Sequence, residues 1–199
     1  MVEIIVATIT GIFGILGIAY GKFKFNSLKD LNQQQSEEIK FRSRALSVDL
    51  GEWGLINSDI QSVLNETSID RFFLLNAFNG FHDPRWTTGL YQVQKDNANL
   101  VSYIHFGIDA HYVSLLKKVR SEGTVEVLVD EIPESIIKAV YQTEGVLTSQ
   151  WYYLLDTSLD TGAVSITYCS FSSRTATELT QAELDKCAVL VGKLKGALT

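Results

Sequence analysis

The sequence predicts an α+β fold in which one antiparallel sheet of about six strands carries helices on its faces. Three observations predict it. Apolar or alternating stretches of strand length recur between residues 71 and 171. Some of them are separated only by short turns, which join antiparallel strands. Stretches with helix-capping residues stand between and after them. Hydrophobic residues make up 46% of the 199-residue chain, which is enough for a core and too many for a disordered chain.

The first segment, residues 1–25, is predicted to be a transmembrane anchor that precedes the domain. No charged side chain occurs from Ile4 to Gly21, a length at the short end of what crosses a hydrocarbon core. Two lysines follow the run, so the positive-inside rule predicts a single-pass protein of the inner (cytoplasmic) membrane with its C-terminal domain in the cytoplasm. The alternative is a helix packed inside a protein assembly such as a virion.

Small residues lie along one side of this predicted helix. Because they recur at alternating intervals of three and four residues, they share one helical face. In lipid, such a face allows a second helix to approach closely. We therefore expect the membrane and a second copy of the chain as partners. The residues of this face are Ala7, Thr10, Gly14, Gly17 and Gly21.

Residues 26–44 are predicted to form a basic juxtamembrane linker or helix, and residues 45–199 a folded domain. Residues 22–44 have a net charge of +3, whereas residues 45–199 have −8 within the total of −6. An acidic domain repels phosphate backbones, so we expect no nucleic acid partner. The basic segment would instead lie near anionic lipid headgroups.

A long connecting helix is predicted to enter the domain and to end near Leu64. Residues at alternating intervals of four and three give it a heptad-like seam. Such a seam packs on its own domain or on a second copy, and both alternatives stay open. The seam residues are Ile39, Ser43, Leu46, Leu50, Trp53, Asn57, Ile60 and Leu64.

The first three strands are predicted over residues 71–80, 87–96 and 99–107. The first is mainly apolar, is predicted to be a buried strand and ends at an Asn-Gly turn. The second alternates, which places Leu90 on the same face as Gln92 and Gln94.

Helices and strands alternate in the middle of the domain. A helix is predicted over residues 109–123, with Asp109 as its N-cap and Gly123 as its stop signal. A strand follows over residues 124–132. Pro133 is then predicted to open a short helix that ends at Glu144.

Two strands and a helix complete the predicted domain. The strands cover residues 146–156 and 163–171, and a capping box of Thr180 and Glu183 opens a helix that reaches Leu198. We expect the first and last helices to cover the same face of the sheet.

The residue types that carry catalysis are not arranged for it. The sequence has no HExxH, G-x-S-x-G or phosphate-loop motif, so we expect neither an enzyme nor a metal site. Cys169 and Cys187 have no CxxC spacing and are expected to be buried free thiols. The three histidines, His82, His105 and His111, have no metal-ligand spacing.

Aromatic residues beside the sheet are the one indication of a ligand pocket. Buried Tyr and Trp need polar partners for their tips, and rings with a few polar groups are typical of small-molecule sites. Ordinary core packing of the same rings is the alternative. No cofactor can be named from the sequence. The candidate pocket residues are Arg85, His105, Tyr112, Tyr141 and Trp151.

Over residues 45–199 the chain resembles the GAF family. The resemblance is carried by the connecting helix, by DRFFLLNAFNG, by DEIPESIIKAVYQTEGVLTSQWYYLL and by FSSRTATELTQAELDKCAVLVGKL. It implies a regulatory or binding module with a pocket between the sheet and its crossover helices, and dimerisation through the first and last helices. The Asn-Lys…Phe…Asp-Glu motif of cyclic-nucleotide-binding members is absent. Neither cysteine is placed as in bilin-attaching members.

Two functions follow from these observations. The first is a membrane-anchored, GAF-like sensory or ligand-binding module that acts as a homo-oligomer, as in small anchored GAF-like proteins of bacteria and phages. The alternative is a non-enzymatic structural protein of a virion or membrane complex with the domain as its scaffold. No kinase, cyclase or DNA-binding helix pair accompanies the domain in this sequence, which gives weight to the second.

Overall fold

The computed structural model describes residues 50–78, 83–95, 106–158 and 164–198, all within one compact unit, Ala45–Thr199. The predicted membrane helix, its small-residue face and the basic linker lie outside the described residues. The elements in chain order are α1 (Leu50–Glu66), β1 (Arg71–Phe78), β2 (Trp86–Gln94), β3 (Phe106–Gly107), α2 (Ala110–Glu122), β4 (Thr124–Leu128), α3 (Ile136–Glu144), β5 (Thr148–Ser158), β6 (Val164–Ser173) and α4 (Gln181–Leu198).

Among the helices of this described part, none combines the length and apolar character that a membrane span needs.

The six strands form one antiparallel sheet in the order β3-β2-β1-β6-β5-β4. This confirms the predicted α+β class and strand number. The two central strands, β1 and β6, come from near the start and the end of the domain. Every residue of β1 is buried. Both faces of the sheet are therefore covered around β1, which is why its sequence is mainly apolar.

Alternate side chains of β1 enter two separate cores. Phe72 and Leu74 lie in a core with α1 and α4, on what we call the helix-pair face. Phe73 and Leu75 lie in a core with α2 and α3, on what we call the crossover face. The first and last helices thus share one face, as the sequence predicted.

The described half of the predicted seam packs on its own domain. Ile60 and Leu64 are buried against the sheet, and Asn57 accepts a 2.5 Å hydrogen bond from the hydroxyl of Tyr91. Two ion pairs join α1 to α4. They are Glu66 with Lys186 at 2.8 Å and Asp59 with Lys193 at 2.5 Å.

One carboxylate caps both helices of the crossover face. Oδ1 of Asp109 accepts from the amide of Tyr112 at 2.9 Å, and Oδ2 accepts from the amide of Ile136 at 2.7 Å. Burial raises the pKa of Asp109, whereas the hydrogen bonds from the amides of Ile136 and Tyr112 lower it. The lowering is the larger effect, so the pKa of Asp109 lies below its ordinary value. The predicted caps Asp109 and Gly123 are both confirmed.

Two predicted boundaries in this region are wrong. β4 ends at Leu128 because the chain turns there, with the amide of Glu131 donating to the Leu128 carbonyl at 3.0 Å. Helix α3 begins at Ile136, with Ser135 as its N-cap, so Pro133 lies in the preceding turn and does not open the helix.

The predicted alternation of β2 is interrupted by a bulge. Leu74 pairs with Tyr91 whereas Leu75 pairs with Gly89, so Leu90 has no partner on β1. Leu90 packs with Tyr91 against the helix-pair core, and not on the face of Gln92 as predicted.

Candidate functional site

Three of the predicted pocket residues meet on the crossover face. Tyr112 of α2, Tyr141 of α3 and Trp151 of β5 are 1%, 2% and 1% exposed. The ring centroids of Tyr112 and Trp151 lie 5.1 Å apart, and Trp151 lies 5.2 Å from Tyr168 of β6. These rings fill the space between the sheet and the two helices.

A chain of hydrogen bonds joins α3 to the centre of the sheet. The indole Nε1 of Trp151 donates to the hydroxyl of Tyr141 at 2.8 Å, and that hydroxyl donates to Ser149 Oγ at 3.1 Å. Ser149 Oγ lies 3.0 Å from Ser172 Oγ. The polar tips of the rings therefore have partners inside the core.

A second chain of hydrogen bonds runs from α2 to β1, and its direction can be assigned. The hydroxyl of Thr87 donates its single hydrogen to the Asn76 carbonyl at 3.2 Å. Tyr168 OH, 3.1 Å from Thr87 Oγ1, must therefore donate to Thr87, and Tyr112 OH, 2.5 Å from Tyr168 OH, must donate to Tyr168. Burial raises the pKa of both phenols, which keeps them protonated donors.

A buried ion pair lies beside the first chain. Nη1 of Arg71, at the start of β1, contacts Oε2 of Glu144, the last residue of α3, and the two side chains are 4% and 3% exposed. The Arg71 guanidinium carbon lies 4.7 Å from the ring centre of Phe73 and 5.8 Å from that of Tyr141. A carboxylate at a helix C-terminus meets the negative end of the dipole, and Arg71 offsets that repulsion.

Strand register places these polar side chains side by side. Ser149 pairs with Ser172, Ser172 with Arg71, and Arg71 with Gln94, across β5, β6, β1 and β2. We call these four residues the polar row. Since side chains of paired residues point to the same face, the polar row crosses the crossover face, where Tyr141 and Glu144 of α3 contact Ser149 and Arg71.

The other two predicted pocket residues do not join this cluster. Arg85 is exposed, and its backbone bonds to Phe78 and Ile108 place it in the segment that leads into β2. His105 lies outside the described residues. The sequence prediction missed Arg71, Glu144 and Tyr168. A usable signal existed for Arg71, because it is the one charged residue of the mainly apolar β1.

Within the described ranges, no group of three or more His, Cys, Asp or Glu side chains is arranged to hold a metal ion. Both cysteines are free and buried, as predicted. Burial raises the pKa of Cys187 to about 12 and that of Cys169 well above its ordinary value.

Solved structures that share this fold are GAF domains and related photoreceptors. The GAF domain of a two-component sensor histidine kinase from Bacillus halodurans is 12% identical, with a TM-score of 0.53 over 76% of this chain and 95% of that chain. A far-red cyanobacteriochrome photoreceptor is 9% identical, with a TM-score of 0.54 over 84% and 95%. The phycoerythrobilin-bound GAF domain of a cyanobacterial phytochrome is 13% identical, with a TM-score of 0.52 over 83% and 94%.

No family model and no curated protein sequence matches this chain. At these identities the structural likeness concerns the fold, and the described domain has the GAF fold. The resemblance expected from the sequence is confirmed.

Proposed function

We propose that the domain is a regulatory module that binds a small molecule on the crossover face, beneath α3. The observation that carries this proposal is the polar row with its buried Arg71–Glu144 ion pair. A buried ion pair is often no more stabilising than apolar residues of the same volume, so stability alone is a poor reason for one here. Of the similar structures, one is part of a sensor kinase and another is described as bilin-bound, and both support a sensory role.

The ligand signal would pass through the sheet to α1 and α4. Arg71 and Phe73 contact the crossover face, while Phe72 and Leu74 of the same strand contact the helix pair. If ligand binding shifts β1, the side chains of β1 on the opposite face move against α1 and α4. The module acts by binding and carries out no catalytic step.

In the same proposal the chain is a homo-oligomer anchored in the bacterial inner membrane through residues 1–25. Leu55 and Val189, on the outer surface of α1 and α4, are 72% and 65% exposed. A groove of about 320 Å³ between the two helices is lined by Val189 and, among others, Asp59 and Lys193. Val189 also belongs to the lining of this groove, whose apolar surface supports a contact with a second copy of the chain. Carbonate washing of membranes tests the anchor, since a chain recovered in the soluble fraction would contradict it.

A thermal-shift screen tests the ligand proposal directly. Nucleotides, tetrapyrroles and central metabolites are added to the full chain in detergent, and Tm is recorded. We expect at least one compound to raise the Tm of the native chain. The same compound should have no effect on the double variant Arg71→Met/Glu144→Leu, in which apolar side chains of similar volume replace the ion pair. A screen in which no compound raises Tm would contradict the proposal.

A scaffold role in a virion or membrane complex is the second candidate, and the close filling of the crossover face favours it. Tyr112, Tyr141 and Trp151 are almost fully buried, so this part of the face is packed as an ordinary core is. If the screen finds no ligand and the chain sediments with assembled particles, the scaffold role is supported.

A further inference from the structure

We propose that Arg71 is the centre of a carboxylate-binding site that Glu144 fills as an internal ligand. A small molecule with a carboxylate on a flat apolar body displaces Glu144 and releases the end of α3. This proposal rests on the proposed function and names the ligand class and the regulation of the same site.

The buried guanidinium defines the charge and shape of the ligand. Its planar fork of donors matches a carboxylate better than an ammonium group would. Glu144 presents that carboxylate now, with both side chains almost fully buried. One guanidinium balances one negative charge, so a carboxylate fits the site better than a doubly charged phosphate.

The surroundings of Arg71 define the rest of the ligand. The rings of Phe73 and Tyr141 lie 4.7 Å and 5.8 Å from the guanidinium carbon and offer flat apolar surfaces. The hydroxyl of Ser172, the β6 partner of Arg71, lies in the same polar row. An aromatic carboxylate would place its charge on Arg71 and its ring against these side chains.

Helix α3 is built so that its end can be released. At its start the helix is held by the bond from the Ile136 amide to Asp109. In its last turn it is held by Tyr141, which bonds to Trp151, and by Glu144, the last residue. The next residue, Gly145, has φ of 68°, a left-handed conformation that glycine adopts without strain, and the capping bonds from its amide to Gln142 and Tyr141 hold it there. Once a ligand pairs with Arg71, the Glu144 carboxylate loses its counter-ion, and the negative end of the helix dipole repels it.

The test measures binding of sodium benzoate to the full chain at constant ionic strength, with benzamide as the uncharged probe of the same shape. We expect Glu144→Gln to bind benzoate at least ten-fold more tightly than the native chain, because the internal competitor is gone. Glu122→Gln is the matched control, since Glu122 is likewise the last residue of a helix but is exposed. The variant Arg71→Met/Glu144→Gln is expected to lose benzoate binding, and benzamide to distinguish none of these chains.

Equal benzoate affinity in the native chain, Glu144→Gln and Arg71→Met/Glu144→Gln would overturn the site. If Glu144→Gln does not fold, Glu144→Ala serves in its place, with sodium formate expected to raise its Tm more than sodium chloride does. The absence of any such difference overturns the site as well.

Hydrogen exchange tests the release of α3. Saturating benzoate is expected to speed exchange of the amides of residues 142–146 at least ten-fold in the native chain, and unchanged exchange overturns that part.

Failure of this proposal can be told apart from failure of the proposed function. If benzoate does not distinguish the variants but a screened metabolite still raises Tm only when the ion pair is present, the domain binds a ligand of another class. If no screened compound raises Tm while benzoate behaves as expected, the carboxylate site stands and the sensory role falls.

Discussion

The indole nitrogen of Trp151 donates a 2.8 Å hydrogen bond to the hydroxyl of Tyr141, and this contact fixes α3 to the sheet. The same hydroxyl donates to Ser149. Both rings are almost fully buried, so neither polar tip can turn to water in the folded state.

Tyr141→Phe is therefore expected to lower the free energy of unfolding by about 1–3 kcal/mol, because it leaves the buried Trp151 Nε1 without its acceptor. Urea denaturation of residues 45–199 measures the change. Ser149→Ala removes the acceptor of the Tyr141 hydroxyl and the contact with Ser172 but leaves Trp151 Nε1 its acceptor, so it is the comparison and should cost less. A Tyr141→Phe chain as stable as the native one would contradict the assigned hydrogen bond.

Breaking the Arg71–Glu144 pair from one side is expected to cost more than removing both charges. Arg71→Met alone leaves a buried carboxylate unpaired, and such changes cost about 3–5 kcal/mol. Arg71→Met/Glu144→Leu should be closer to the native stability, since no charge stays buried. Urea denaturation of the native chain, Arg71→Met, Glu144→Leu and the double variant gives the coupling between the two sites. Additive effects of the single changes would show that the pair is not coupled in solution.

Glu183 is expected to make the stability of the domain depend on pH in the acid range. Burial raises the pKa of this carboxyl, but hydrogen bonds from the amides of Ser68 (2.6 Å) and Thr180 (2.8 Å) lower it to about 2. A depressed folded pKa contributes stability above the unfolded value, about 4.5, and that stability is lost as the pH falls toward 2. Free energies of unfolding between pH 2 and 7 should thus show Glu183→Gln approaching the native chain as the pH falls.

The exposed Glu178→Gln is the matched control for the loss of one carboxylate near the start of α4. A native chain and Glu183→Gln whose stabilities differ by the same amount at pH 2 and pH 7 would contradict the role of these hydrogen bonds.

The two cysteines are expected to react slowly with thiol reagents in the folded protein. Burial raises the pKa of Cys187 to about 12 and that of Cys169 well above its ordinary value, and the thiolate is the reactive form. Labelling with Ellman's reagent at pH 7 should be slow for the native chain and fast in urea. Rapid labelling of two thiols without urea would show that the core under α4 opens readily.

Charges on the outer surface of the helix pair are expected to weaken self-association. Leu55→Lys or Val189→Lys places a charge on the most exposed large apolar side chains of the described part. Sedimentation of residues 45–199 should show a dissociation constant raised at least ten-fold, since the charge must lose its water on binding. Leu147→Lys, at a 39% exposed site next to α3, is the control and should have no effect.

Local chemistry explains which parts of the fold could be predicted from sequence. Asp109 caps the start of α2 and Gly123 caps its end, and each contacts backbone groups within four residues of itself. The capping pair Thr180 and Glu183 is equally local. Such contacts depend on neighbours in the chain, so the sequence contains all that is needed to place them.

Long-range partners explain what could not be predicted. The bulge at Leu90 exists only because of how β2 pairs with β1. The Arg71–Glu144 pair joins residues 73 positions apart in the chain, and nothing in the sequence near either residue indicates the other. Arg85 was expected in the pocket, but it is exposed in the segment that leads into β2.

The central position of the β1–β6 pair determines when the sheet can exist during synthesis. The strands β2 and β3 lie on one side of that pair, and β4 and β5 lie on the other. The two sides are joined only by the hydrogen bonds between β1 and β6. A nascent chain that ends before Val164 therefore holds two separate half-sheets, β1–β3 and β4–β5, each with an unprotected edge. The domain must be almost completely synthesised before its sheet can close, and until then those edges are open to chaperones and to other chains.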